Sequence, residues 1–158
     1  MSLEIHGPTI QTNAPIPVEH TCDGADRPPA LAWSGAPPRT RSFALVVHDP
    51  DAPRGDWVHW VLFDVPAETS MLPEGLPPTP VLRDGSRQGT NDFGHVGWGG
   101  PCPPRGAAHR YVFELYALDS MLGLPPGVSR DRLETAMRGH VLAHAKLVAT
   151  YARAAGRA

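Results

Sequence analysis

The chain is short of cysteine, of net charge and of long apolar runs, and each shortage excludes a class of protein. Two cysteines in 158 residues, Cys22 and Cys102, are too few for a disulfide framework. In a reducing compartment two free thiols are expected. Each nevertheless sits in a polar, turn-rich segment (TCDG, GGPCPP), which keeps a disulfide or redox role as the alternative. With 14 basic against 16 acidic residues the net charge is −2, and no basic patch is present, so nucleic acid is not an expected partner. No stretch approaches the ~18 apolar residues that would span a bilayer. The first ten residues, MSLEIHGPTI, hold neither a basic n-region nor an apolar h-region. No secretory signal is therefore expected, and the cytoplasm is the expected location. Internal repeats, a domain linker, GxSxG and HExxH are absent as well, which counts against a serine hydrolase and a zincin protease.

What is present suits a folded domain over 1–158: 41% apolar residues at a length that can enclose a sizeable core. Proline is abundant, at 19 residues, and lies between apolar runs rather than in a PxxP array, which points to a β-rich fold with long, stiffened loops. Residues 1–20 read as a short edge strand and a loop. Leu31-Ala32-Trp33 reads as a strand entered through Pro28-Pro29. RSFALVVH (41–48) reads as a buried central strand, and WVHWVLFDV (57–65) as the next. A period of two places Trp57, His59, Val61, Phe63 and Val65 on one face. RYVFELYAL (110–118) is a third strand, with Tyr111, Phe113, Leu115 and Ala117 on one face and His109 pointing the same way. Residues 66–108 are loop-dominated. Ser129 suits a helix N-cap, and Leu133, Met137, Val141, Ala145 and Val148 recur at helical spacing, so one helix is expected over 130–154. The fold class is mostly β: an antiparallel two-sheet Greek-key sandwich with a C-terminal α-helix.

Two segments carry the chemistry, DPDAPRGDWVHW (49–60) and GWGGPCPPRGAAHRY (97–111). His109 and Tyr111 would offer N–H and O–H donors one pleat apart. Gly99 and Gly100 would let backbone N–H groups form an anion nest, stiffened by Pro101, Pro103 and Pro104. Asp49 and Asp51 would accept from histidine N–H groups and fix their tautomers, or meet the ammonium end of a zwitterion. Trp98, between two glycines, would form a pocket wall, whereas Trp33, Trp57 and Trp60 are expected in the core. The same Asp49, Asp51, His59 and His109 are ligand types for zinc or a non-haem metal, although DxD alone is weak. His140 and His144, four apart on the expected helix, read as packed or surface residues. Cys22 and Cys102, both in motif loops, are expected near each other at the pocket rim.

The chain resembles the phosphatidylethanolamine-binding protein family, also called the Raf-kinase-inhibitor-like family, in its bacterial and archaeal branch. The resemblance spans TCDGADRPPALAWSGAP (21–37), DPDAPRGDWVHWVLFDVPA (49–67), GTNDFGHVGWGGPCPPRGAAHRYVFELYALD (89–119) and AMRGHVLAHAKLVATYAR (136–153), the last similar to a terminal helix. It implies a two-sheet β fold and a small pocket for phosphate-like anions such as the phosphoethanolamine head group. By motif position that pocket holds Asp49, Asp51, His59, Gly99, Gly100, Pro101, His109 and Tyr111. Trp98 departs from the family's usual tyrosine and loses a hydroxyl. The expectation is a small-anion binding protein with no cofactor, regulatory or inhibitory toward a kinase or protease, with a homodimer left open. A hydrolase or metal-dependent enzyme using the same residues is the alternative.

Overall fold

The computed structural model describes residues 2–154. It contains β1 (Glu4–His6), β2 (Leu31–Ser34), β3 (Ser42–Asp49), β4 (Trp57–Pro66), β5 (Met71–Leu72), β6 (Arg87–Gln88), β7 (His109–Leu118), α1 (Arg130–Met137) and β8 (Val141–Tyr151). A five-stranded antiparallel sheet runs β6-β4-β3-β7-β8, and a three-stranded one runs β1-β2-β5. β3 is buried along its whole length because it lies at the centre of the larger sheet with both faces covered.

Two apolar layers flank that sheet. Between the sheets, Leu3, Ile5, Leu31 and Trp33 meet Phe43, Leu45, Trp60, Leu62, Phe113 and Leu147. On the opposite face, Ala44, Val46, Val58, Val61 and Phe63 are covered by Leu124 and by Leu133 and Met137 of α1. Each fully buried large side chain contributes roughly 1.5–3 kcal/mol, so the central strands are the most strongly held part of the molecule.

The structure alters the expected elements in two places. β4 does not keep a period of two. Its register against β3 shifts between the Val47↔Trp60 and His48↔Val58 pairs, leaving His59 as an extra residue, and again between Phe43↔Val65 and Leu45↔Leu62. Asp64, at φ 52°, lies at the second irregularity and accepts from Leu122 N and Gly123 N. Each bulge reverses the phase of the strand. Val61 and Phe63 therefore face α1, while Trp60, Leu62 and Val65 enter the layer between the sheets. Trp57, His59, Val61, Phe63 and Val65 do not share a face.

The second change is at the C-terminal end. Ser129 caps α1 through Arg132 N, as its position suggested, but the helix ends at Met137. Gly139, at φ +81°, reverses the chain, and Val141–Tyr151 pairs with β7 from Leu118↔Val141 to His109↔Tyr151. The apolar spacing over 130–154 is thus one helix followed by a strand whose Ala145, Leu147 and Ala149 alternate inward. Pairing to β7 along the whole of Val141–Tyr151 satisfies the backbone groups of this segment. His140 and His144 consequently lie off the helix, His140 beside Asp119 and His144 on β8 beside Glu114. No helix among the described residues is long and apolar enough to cross a membrane.

Candidate functional site

At one end of the larger sheet, β3, β4 and β7 and the loops beside them enclose a pocket of about 280 Å³. Asp49, His59, His109 and Tyr111 line it, and all four are borne on strands. The loop after β3 adds Ala52, Pro53 and Arg54, and Trp57 follows at the start of β4. Phe93 and the Cys102-Pro103-Pro104 turn complete the wall.

Each histidine is held by its Nδ1. His59 donates from Nδ1 to the carbonyl of Gly99 at 2.5 Å, and Gly99 N donates back to His59 O at 2.9 Å. His109 donates from Nδ1 to Asp49 Oδ2 at 2.6 Å. Asp49 is 3% exposed, and its other oxygen accepts from Asp51 N at 2.7 Å, so its carboxylate is fully engaged in orienting its neighbours. Among the described residues neither Nε2 atom has a hydrogen-bond partner. Tyr111 is 1% exposed, and its hydroxyl has no hydrogen-bond partner among the described residues. The rings of His59 and Tyr111 meet edge to face at 5.3 Å. A buried, unpaired O–H is costly, and here it belongs to a residue that lines a pocket.

The titration behaviour follows from the packing. Burial pushes His59 below its ordinary value, against the opposing effects of Gly99 O, Asp49, Asp26 and Asp92. Burial, with Asp49 nearby, pushes the Tyr111 phenol upward, so it remains an O–H donor. Asp51 is held down at about 2, chiefly by its hydrogen bonds from Arg110.

The expected site residues divide into three groups. Asp49, His59, His109 and Tyr111 are brought together. Asp51 is not in the pocket. Its carboxylate takes Arg110 N, Nε and Nη2 at 2.8–2.9 Å, so it pins the start of β7 and does not fix a histidine. Gly99, Gly100, Pro101 and Trp98 stand behind the wall. The expected anion nest is not available, because Gly99 N donates to His59 O and Gly100 N to Asp26 Oδ1. The glycines serve close approach instead. A Cβ on Gly99 would collide with the Phe93 ring, and one on Gly100 with Asp26 Oδ1 and His20 O. Pro101 O accepts from Cys22 N. Trp98 donates from its indole to His20 O and packs against Trp60 and Phe113, so it is a support and not a wall.

Cys22 and Cys102 are not free thiols. They are bonded, with Cα atoms 5.4 Å apart, and they tie the 21–27 loop to the pocket turn. Their proximity at the rim was expected from the motif loops.

For metal, the pocket offers two imidazole nitrogens, while both oxygens of the neighbouring Asp49 are engaged. Among the described residues the one grouping of three close ligand atoms is Glu19, His20 and Glu74, elsewhere on the surface. Both nitrogens of His20 already have partners there, Thr9 Oγ1 and Arg27 O.

Sequence reasoning missed Arg54, the basic side chain of the pocket, along with Phe93 and the pocket position of Trp57. Arg54 lies within DPDAPRGDW and was readable as a loop cation beside the motif. Phe93 is carried by a turn that buried Asn91 organises through Gly97 O, Phe93 N and His95 N. No sequence period announces such a turn.

Comparison with known proteins agrees with this geometry. Residues 6–152 match the family profile described as phosphatidylethanolamine-binding protein. The UPF0098 protein of Methanothermobacter thermautotrophicus is 47% identical over 153 residues, covering 97% of this chain and 99% of that protein. That of Aquifex aeolicus is 46% identical over 153 residues, covering 96% and 89%. Among solved structures, Escherichia coli YbcL, described as a member of the mammalian PEBP family, superposes with a TM-score of 0.89 at 31% identity, covering 96% of this chain and 99% of YbcL. The Chlamydia trachomatis PEBP homologue CT736 gives 0.88 at 35% identity, covering 96% and 98%. The chain belongs to the phosphatidylethanolamine-binding protein family.

Proposed function

We propose that the pocket binds a small phosphate-type anion, free or carried on a larger molecule, and that the protein acts as a binding module. The observation that carries this reading is the unpaired hydroxyl of Tyr111 in a pocket also lined by two imidazoles, His59 and His109, each held through its Nδ1. An anion with several oxygens supplies the missing acceptor for Tyr111 and a counter-charge for Arg54. Asp49 holds the His109 ring in place. Family membership supports anion binding in general. An inhibitory role toward a kinase or protease is the finer reading, in which the anion is a phosphorylated side chain of the partner. Calorimetry with inorganic phosphate tests the site. Saturable binding that weakens at least tenfold in His109→Ala is expected, and equal affinity in the variant would refute the assignment.

One observation favours a second reading. A histidine that lines a pocket and is oriented through its Nδ1 by a buried carboxylate has the arrangement of a general base. No serine, threonine or cysteine thiol lines the pocket to act as nucleophile, so such a base would have to activate water. Turnover of a phosphate or carboxylate ester by the wild type, lost in His109→Ala, would establish a hydrolase. Saturable binding without turnover keeps the binding module.

A further inference from the structure

The wall formed by Cys102, Pro103 and Pro104 is held unlike the rest of the pocket. Pro101, Pro103 and Pro104 bring no N–H to it. Among the described residues, 101–104 take part in one hydrogen bond, from Cys22 N to Pro101 O at 3.1 Å. Pro101 and Pro103 are buried while Cys102 and Pro104 are exposed, so apolar contact of two rings is the other non-covalent hold. A glycine stands at each end of this strip. Gly100 N is tied to Asp26 Oδ1, and Gly106, at φ +129°, donates to Arg153 O at 3.0 Å. The strip is fixed at its ends and short of donors between them.

The loop across the disulfide is the opposite. Thr21 N donates to Val18 O, Gly24 N to Thr21 O and Arg27 N to Glu19 O. Asp23 accepts from the Tyr151 hydroxyl at 2.6 Å and from Arg153 Nε at 3.1 Å. Buried His20 links the Arg27 carbonyl to Thr9. The Cys22–Cys102 bond therefore fastens a donor-poor strip to a loop that is held by its own hydrogen bonds. Both cysteines are exposed, which leaves their bond open to an incoming thiolate. Exposed disulfides are the ones that exchange most readily.

We propose that Cys22–Cys102 is a redox latch on the pocket, opened by a dithiol reductant and closed again by oxidation. In the opening step a thiolate of the dithiol attacks one of the two sulfurs and the S–S bond breaks. The second thiol of the reductant then resolves the mixed disulfide. Two electrons and two protons pass to Cys22 and Cys102, and the reductant leaves as a disulfide. Once free, the 101–105 strip loses its contact with Cys22 N and moves between its two glycine hinges, while the 21–27 loop and the central strands keep their bonds. The wall around the ligand is then no longer pre-organised, and binding weakens. The loss of binding rests on the anion-binding reading of the pocket, whereas the release of the strip does not.

The test compares the full chain oxidised and after treatment with dithiothreitol at neutral pH. Three quantities are read: amide hydrogen exchange by NMR, trypsin cleavage after the exposed Arg105, and calorimetry with inorganic phosphate. Dithiothreitol is expected to reduce the folded protein. Exchange of the Cys22 amide and cleavage at Arg105–Gly106 should then speed up at least about tenfold, with the Arg27 and Phe113 amides unchanged. Phosphate affinity should fall about fivefold and return on reoxidation. The double change Cys22→Ser and Cys102→Ser should show the reduced behaviour with or without dithiol. A disulfide that resists dithiothreitol in the folded protein, or Cys22 exchange unchanged after reduction, overturns the latch. Loss of protection throughout β3 and β7 overturns it as well, because the bond would then staple the whole fold. Equal phosphate affinity in the two states removes its control of the pocket. Phosphate bound in neither state removes the anion-binding reading, while Cys22 exchange and Arg105 cleavage still decide the latch. These measurements use the wild-type protein, so a variant that fails to fold does not affect them.

Discussion

His48 and Asp49 are consecutive on β3 and belong to opposite faces of the sheet, and the clusters they join are opposite in kind. On the α1 side, His48 is held between Asp56 Oδ1 at 2.7 Å and Glu114 Oε2 at 2.5 Å. Glu114 also takes His144 Nε2 at 2.9 Å, and Arg130 ties Asp56 to Glu134 of the helix. His144 stacks on Tyr116 at 4.6 Å. Both ring nitrogens of His48 and both oxygens of Asp56 and Glu114 are in use. On the pocket side, Asp49, His59, His109 and Tyr111 satisfy their inward-holding atoms and leave two Nε2 atoms and one hydroxyl open. Similar residue types on adjoining strands thus form a closed network that holds the fold together and an open one with unfilled donors and acceptors at a pocket. Composition does not separate the two clusters, but a count of unfilled donors and acceptors does.

The sharpest way to break that contrast is to remove the hub of the closed cluster. Glu114→Ala should lower stability by about 2–3 kcal/mol, because it leaves His48, His144 and Arg130 facing one another without their shared carboxylate. Denaturant unfolding checks this, and phosphate affinity should be unchanged within twofold. Severing the tie behind the pocket with the double change Cys22→Ala and Cys102→Ala should cost a similar amount, roughly 2–4 kcal/mol for so long a loop. Unlike Glu114→Ala, it should also weaken phosphate binding, since Cys102, Pro103 and Pro104 form the wall. Among the open groups, Tyr111→Phe removes an unpaired hydroxyl. Its stability should be equal to or slightly above wild type, while phosphate affinity falls about five- to tenfold, the worth of one hydrogen bond. A loss of stability in Tyr111→Phe would mean that the hydroxyl has a partner and that the cluster is closed.

The smallest effect is in pH dependence. Burial draws His48 down, but Glu114 and Asp56 outweigh it and its folded value lies above the ordinary 6.5. Its contribution is therefore complete below 6.5 and lost as pH rises through that raised value. Glu114 is held at about 2, mainly by His48, against an ordinary 4.5. Its contribution is complete above 4.5 and lost as pH falls toward 2. Stability should form a plateau between about 4.5 and 6.5, measurable as melting temperature against pH, and Glu114→Gln should flatten the acid side.

The sequence disclosed the strands well and the site in part, for physical reasons visible at individual residues. β3 and β7 pair with each other without a register shift, so the alternation of Tyr111, Phe113, Leu115 and Ala117 reads directly as a buried face, and His109 follows it into the pocket. β4 carries two bulges, and a bulge changes the phase without changing composition. His59 thus reached the pocket beside Trp57, as its spacing implied, while Val61 and Phe63, expected on the same face, turn to the other. Over 130–154, apolar spacing alone fits both a helix and a strand, and Gly139 marked the break. The glycines of the 97–100 turn were legible as places of close approach. Which of their N–H groups remained free depended on Asp26 and on the carbonyl of His59, long-range partners that no local pattern encodes.

The most direct test of the contrast follows all four clustered imidazoles at once. Two-bond ¹H–¹⁵N spectra of the uniformly labelled protein, recorded during titration with phosphoethanolamine at pH 6.5, report each ring nitrogen separately. The open-cluster account predicts saturable movement of Nε2 in His59 and His109, with the signals of His48 and His144 fixed. Movement confined to His48 and His144, or no movement in any of the four, would contradict it.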